Sequence, residues 1–210
     1  MWSDSGCRCL ERLAPGNSVS RRQLQLALKG RFPWHRLDHS ALSAEAWWGE
    51  VYSAFGSALK SLDCRLPSCA DLGLAIRADI LDATRYELFE DVVPVLEKFA
   101  QAGWRQLIVS NHVPELPIIL EGLGIRRSFD GVLTSGIVGY EKPHPRMFEA
   151  ALDYSAANAP IWMVGDNPLT DCDGATAHGA KAVLVRGQGK MVRHPQAANL
   201  WAVLALVQAA

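Results

Sequence analysis

Four polar residues in the second half of the chain stand at or just beyond apolar runs. Ser110 follows Leu107-Ile108-Val109, Lys142 lies in Gly139-Tyr140-Glu141-Lys142-Pro143, Asp166 follows Ile161-Trp162-Met163-Val164-Gly165, and Asp171 comes five residues later. A hydroxyl with adjacent backbone amides can bind phosphoryl oxygens, and a lysine can neutralise a phosphate or a carboxylate. Two carboxylates can hold a hard divalent cation such as Mg²⁺ through oxygen, leaving its other positions for water and phosphate. Each residue alone has an ordinary reading. A serine after a strand is commonly a turn or cap residue, and a loop lysine is commonly solvated. Asp166 is the stronger single signal, because a conspicuously placed loop acid beside a rigid strand more often has a function. The four in this order are more specific than any one of them.

The elements that must position these residues alternate from Tyr86 onward. Val92, Val95, Leu96 and Phe99 predict a helix ending at Gly103, and 104–109 a short strand. A helix follows over 114–123, a strand over 131–134, a helix over 145–154 and a buried strand over 161–164. After 171–178 come a last strand at 181–185 and a closing helix over 195–208. Alternation at this spacing predicts an α/β class domain: a Rossmann-like, three-layer fold with helices on both faces of a parallel sheet. Ligands of such sheets bind beyond the carboxyl ends of the strands, where Ser110, Lys142, Asp166 and Asp171 fall.

Residues 1–85 read differently. Trp47, Val51, Phe55, Leu59 and Leu62 recur at helical spacing behind Ser43, a predicted N-cap, and Leu74, Ala78 and Leu81 suggest another helix. Arg21 to Lys29 is a weaker candidate, and no run of β-branched residues marks a strand. The expected division is therefore a helical cap at 1–85 and an α/β core at 86–210. Trp34, Trp47 and Trp48 are expected in the core of the cap rather than facing a substrate.

The chain has 210 residues, 49% of them apolar, enough for one domain with an insertion. Its 21 basic and 22 acidic side chains give a net charge of −1, which argues against nucleic acid or an anionic membrane as partner. Five cysteines, at 7, 9, 64, 69 and 172, show no zinc or disulfide spacing. With neither a signal-peptide pattern nor a membrane-length apolar run, a cytoplasmic location with reduced thiols is expected. Cys172 is expected to be a small buried hydrophobe, and His112, His144 and His178 to lie beside the site or on helices without catalytic roles. No pattern sets the oligomeric state.

The segments LIVSNHVPELP (107–117), GYEKPHPRMF (139–148) and IWMVGDNPLTDCDGA (161–175) resemble the second, third and fourth motifs of the haloacid dehalogenase (HAD) superfamily. Most members are phosphatases. The resemblance implies that Ser110 binds the phosphoryl group with help from Asn111, that Lys142 stabilises the charged intermediate, and that Asp166 and Asp171 bind Mg²⁺. It implies an aspartyl-phosphate route acting on a small phosphorylated metabolite, with residues 1–85 as the substrate-selecting cap. A dehalogenase is the minority alternative, which the acid pair disfavours.

The first motif of that superfamily is an apolar strand ending in Asp-x-Asp-x-Thr or Ser, whose first Asp is the nucleophile and second the general acid and base. No stretch before residue 86 reads this way. Asp4 follows only three residues, Asp63 precedes Cys64-Arg65, and Asp79 and Asp82 lie in a helical pattern. Asp171-Cys172-Asp173-Gly174 belongs to the fourth motif. In the family's sheet order, 5-4-1-2-3, the missing strand is the central one, so the sheet is expected either to keep a gap or to close up and displace the site. The expectation is a truncated, mis-started or degenerate relative, inactive as written. The alternative is a non-catalytic phosphate- or metal-binding protein.

Overall fold

In a computed structural model describing residues 2–64, 68–155, 159–187 and 193–209, the chain divides into two units, Met1–Tyr86 and Glu87–Ala210. The first consists of helices α1 (Trp2–Leu13), α2 (Arg21–Leu28), α3 (Ala44–Ser61) and α4 (Cys69–Leu81). Their starts are written in the sequence. Ser20 and Gln23 form a reciprocal capping box, Ser43 accepts the Ala46 N–H and Ser68 accepts the Asp71 N–H. On α3, Trp47, Val51, Phe55 and Leu59 form one buried stripe, and Trp48 is fully buried beside it. On α4 the buried residues are Leu72, Ile76 and Ile80, while Leu74 is 58% exposed. The helix suggested by Leu74, Ala78 and Leu81 is thus present, with its buried stripe carried by Leu72, Ile76 and Ile80 instead.

Helix α1 was not anticipated, because its polar sequence hides a narrow buried face of Ser5, Gly6, Cys9 and Leu10. A Cβ on Gly6 would run into Phe55 and Leu24, so the missing side chain is what lets this helix pack closely. Arg8 adds an ion pair to Asp79 of α4 at 2.5 Å. Trp34 stacks on Phe32 with ring centroids 4.1 Å apart.

The second unit runs α5 (Val92–Gln101), β1 (Leu107–Ser110), α6 (Leu116–Gly122), β2 (Gly131–Thr134), a single turn α7 (Ser135–Val138) and α8 (Pro145–Leu152). It continues with β3 (Trp162–Gly165), a π-helical turn at Pro168–Asp173, the short α9 (Gly174–Thr176), β4 (Lys181–Val185), β5 (Gln196–Ala197) and α10 (Leu200–Gln208). The first strand begins at Leu107 rather than 104, because the Trp104 N–H folds back onto Phe99 O to close α5. The closing helix begins only at Leu200, where Asn199 caps it by accepting the Ala202 N–H. The residues before it form β5, which binds β4 through Leu184 N–H to Pro195 O and Arg186 N–H to Ala197 O.

All strand pairs are parallel, but the sheet is in two pieces. β1 pairs with β2 in register Leu107↔Gly131, and β3–β4–β5 form the other piece with Trp162↔Lys181. Among the described residues no strand joins β1 to β3. Of the two expected arrangements, the sheet therefore adopts the gap. Val183, Val185, Val203 and Val207 form the core under β4 and α10, joined by the half-buried Trp162 and Val164. Among the described residues no helix is long and apolar enough to cross a membrane.

Candidate active site at the carboxyl ends of the strands

Ser110 is the last residue of β1, half-buried, and its hydroxyl makes no hydrogen bond among the described residues. Asn111 is committed elsewhere. Its Oδ1 accepts the Lys142 N–H at 2.7 Å and its Nδ2 donates to Lys142 O at 3.0 Å, clamping the backbone of the lysine loop to the end of β1. Thus fixed, Lys142 sends its side chain inward, 9% exposed, and its ammonium donates to Val109 O at 2.7 Å and to Asp171 Oδ1 at 2.7 Å. Two of the three ammonium donors are accounted for by these contacts. The structure therefore brings Lys142 and Asp171 into contact at the end of β1, where Ser110 follows the Val109 that Lys142 also binds, with Asn111 holding the lysine in place.

β3 delivers Asp166, exposed, with no hydrogen bond among the described residues. Asp171, in the π-helical turn, is 4% exposed, and its Oδ2 accepts the Asn167 N–H at 3.0 Å. Asn167 also caps that turn by accepting the N–H groups of Leu169 and Thr170. The turn comes this close because residue 165 is glycine. A Cβ there would collide with the Asp171 carboxylate and its Cβ. Gly165→Ala is therefore expected to push Asp171 off Lys142 and lower stability by about 1–3 kcal/mol, the usual cost of overpacking, measured by urea denaturation. A change within about 0.5 kcal/mol would show that the turn can yield.

Residues that the sequence did not single out border the site as well. Thr134 ends β2 with a buried hydroxyl lacking a partner among the described residues, and Ser135 accepts the His112 N–H at 3.1 Å. Both follow the apolar Gly131-Val132-Leu133 run, the same signal that singled out Ser110. His112 is buried deeply enough to push its imidazole down to about 4, which keeps it neutral, and its Nδ1 has no partner among the described residues. His144 caps α8 by accepting the Arg146 N–H, and His178 contacts Gly174 O at 2.9 Å. Burial, then the carboxylates of Asp171 and Asp173, push the fully buried Cys172 thiol up to about 11, which makes it a packing residue and not a nucleophile. His194 reaches Asp173 at 2.6 Å, a pairing that its distance of 21 residues hides in the sequence. Among the described residues no cluster of three or more metal-ligating side chains is assembled, and the carboxylates at the end of β3 are Asp166 and Asp171.

The family model for haloacid dehalogenase-like hydrolases matches residues 15–179. Human haloacid dehalogenase-like hydrolase domain-containing protein 3 is 31% identical over 167 residues, covering 79% of this chain and 65% of the relative. Phosphoserine phosphatase from Thermus thermophilus is 33% identical over 156 residues, covering 72% and 61%. The chain thus spans less than two thirds of the length of these relatives. Among solved structures, a HAD-hydrolase from Bacillus subtilis bound to magnesium superposes with a TM-score of 0.73 at 16% identity, covering 99% of this chain and 92% of that one. The L-2-haloacid dehalogenase from Xanthobacter autotrophicus gives 0.70 at 18%, covering 98% and 93%. At these identities the structures establish a shared α/β fold.

Proposed function

Because the chain belongs to the haloacid dehalogenase-like hydrolases, we propose that it is a phosphatase-type module binding Mg²⁺ and the phosphate of a small phosphorylated metabolite at the carboxyl ends of β1 and β3. The observation that carries this reading is the buried contact of Lys142 with both Val109 O and Asp171, next to Ser110, whose hydroxyl has no hydrogen bond among the described residues. Ser110 offers a donor to a phosphoryl oxygen, and Lys142 offsets negative charge. The likeness to a phosphoserine phosphatase favours a phosphomonoester over a haloacid.

The donor set fits Mg²⁺. Asp166 is an exposed carboxylate without a protein partner among the described residues, and Asp171 lies five residues on, behind Gly165. Two carboxylates are what such a cation usually takes from protein. When bound, the metal would offset phosphate charge and orient the phosphoryl group. Hydrolysis by this route needs an aspartate at the end of a strand between β1 and β3, and residues 1–210 hold no Asp-x-Asp after an apolar run other than the fourth-motif string. We therefore assign binding without turnover to these 210 residues taken alone. A non-catalytic phosphate- or metal-binding role is the second reading, favoured by the same missing strand.

The test is calorimetry with Mg²⁺ and inorganic phosphate, paired with turnover of an aryl phosphate. Expected are Mg²⁺-dependent phosphate binding, no turnover, and loss of Mg²⁺ affinity by at least about tenfold in Asp166→Asn, with the unfolding midpoint unchanged because the side chain is exposed. Turnover that Asp166→Asn abolishes would overturn the assignment of inactivity. Absence of both Mg²⁺ and phosphate binding would overturn the site itself.

A further inference from the structure

In the second unit, two buried side-chain atoms have no hydrogen-bond partner among the described residues, Thr134 Oγ1 and His112 Nδ1. Folded proteins rarely leave such groups unpaired, so each calls for an explanation. Thr134 is 0% exposed, and its β-branched side chain has little freedom about χ1. The register of the first sheet piece fixes what stands beside it. Thr134 is the partner of Ser110, in the last pair of the β1–β2 ladder. Side chains alternate between the faces of a strand, and partners in a ladder share a face, so the two hydroxyls lie on one face of strands about 4.8 Å apart. That spacing lets two Oγ atoms meet when they turn toward each other, and cross-strand Thr–Ser hydrogen bonds of this kind stabilise sheets.

Ser110 Oγ makes no hydrogen bond among the described residues either. The end of the ladder therefore holds a stiff, buried donor beside a half-buried hydroxyl that no described residue holds. His112 stands outside this pair. It lies two residues beyond β1, and its main chain is tied to the start of α7, where Ser135 Oγ accepts its N–H and the Gly136 N–H donates to its carbonyl, both at 3.1 Å. Composition makes the same point as geometry. A strand position that buries its side chain completely is suited to Val, which has nearly the shape of Thr, favours strands and would leave no hydroxyl unpaired.

We propose that Thr134 is a positioning residue of the phosphate site, whose hydroxyl donates to Ser110 Oγ while Ser110 donates to a phosphoryl oxygen. The proposal rests on the reading of Ser110 as a phosphate ligand. A hydroxyl has one donor and two acceptor positions, so Ser110 can give its proton to the phosphate and accept from Thr134 at the same time. The phosphoryl oxygen fixes the Ser110 rotamer, and the stiff Thr134 donor is waiting for it. Hydrogen bonds in such a chain polarise one another, which makes Ser110 the stronger donor. No proton changes owner. Thr134 thus lowers the stability of the free protein and finds its partner on binding.

The test is a double-mutant cycle of Thr134→Val and Ser110→Ala in the 210-residue protein. Calorimetry with inorganic phosphate in the presence of Mg²⁺ reads affinity, and exchange of the Val183–Val185 amides of β4 without phosphate reads stability. Thr134→Val is expected to slow that exchange about fivefold or more, because an unpaired buried hydroxyl is removed, and to weaken phosphate binding about three- to tenfold. A threonine with only a structural role would not give these opposed signs. Thr134→Ser, which keeps the hydroxyl, should bind phosphate more tightly than Thr134→Val. In the Ser110→Ala background, Thr134→Val should change affinity by less than about twofold, since its effect passes through Ser110. Exchange in Thr134→Val as fast as in the wild type, or faster, would show a hydroxyl already paired and overturn the proposal. Thr134→Ser binding no better than Thr134→Val, or a full effect of Thr134→Val in Ser110→Ala, would overturn it as well. Disappearance of the effect in His112→Leu would make His112 the partner and overturn it too. Absence of phosphate binding by the wild type would overturn the proposed function and this proposal together, whereas wild-type binding that Thr134→Val leaves intact would overturn this proposal alone.

Discussion

Lys142→Met is expected to destabilise the second unit by about 3–5 kcal/mol, the cost of leaving a buried charge without its partner. Asp171 is 4% exposed, and its compensating cation is the Lys142 ammonium at 2.7 Å. The Asn167 N–H and the Thr170 hydroxyl still donate to it, at 3.0 and 3.4 Å, but neither brings charge. Val109 O would lose its hydrogen bond as well. Adding Asp171→Asn to Lys142→Met should recover about 0.5–3 kcal/mol, because the two residues share one interaction. Lys142→Arg should fall between, since a planar fork cannot reproduce a point donor directed at two acceptors in a closed space. The readout is exchange of the Val183–Val185 amides, which lie in buried β4 and report on this unit alone. A loss of under about 0.5 kcal/mol in Lys142→Met would remove the ion pair as a structural element.

The same contacts show why this lysine was legible in the sequence while its neighbours were read only in part. The alternation of apolar runs and helical periods located β2 and β4 to the residue, at Gly131–Thr134 and Lys181–Val185. It also located the strand ends carrying Ser110 and Asp166. What periodicity could not hold was the three-dimensional use of a side chain. Asn111 was expected in the phosphate pocket, yet both ends of its amide bind the Lys142 backbone, 31 residues away. β5 was hidden in a predicted helix because two paired residues give no period. Helix α1 was hidden because its packing depends on Gly6 and on an ion pair 71 residues distant. Local patterns survive translation into sequence, and contacts across dozens of residues do not.

The largest such contact outside the site gives the second strong expectation, that Asp91→Ala will cost about 3–5 kcal/mol. Asp91 precedes α5, is 3% exposed, and its two oxygens accept from Arg186 Nη2 at 2.5 and 2.6 Å. Oδ2 also accepts the Leu200 N–H at 2.7 Å, a free donor at the start of α10. One carboxylate therefore ties the start of α5 to the residue after β4 and to the first turn of α10. Arg186 adopts φ +53°, a conformation that side chains other than glycine rarely take, and its guanidinium also stacks 4.0 Å over Phe89. Burial pushes the Asp91 carboxyl up, but the Leu200 N–H and the Arg186 guanidinium outweigh it and hold it below its ordinary value. A carboxyl depressed in the folded state contributes stability that is fully present above its unfolded value, about 3.9, and disappears as pH falls through the folded one. Wild-type stability should accordingly fall below about pH 4, and Asp91→Asn should lower stability at pH 7 while flattening that acid limb. Urea denaturation at pH 7 and at pH values below 4 measures both. An acid limb as steep in Asp91→Asn as in the wild type would assign the loss to other carboxylates, and a cost under about 0.5 kcal/mol for Asp91→Ala would show that α5, β4 and α10 hold together without it.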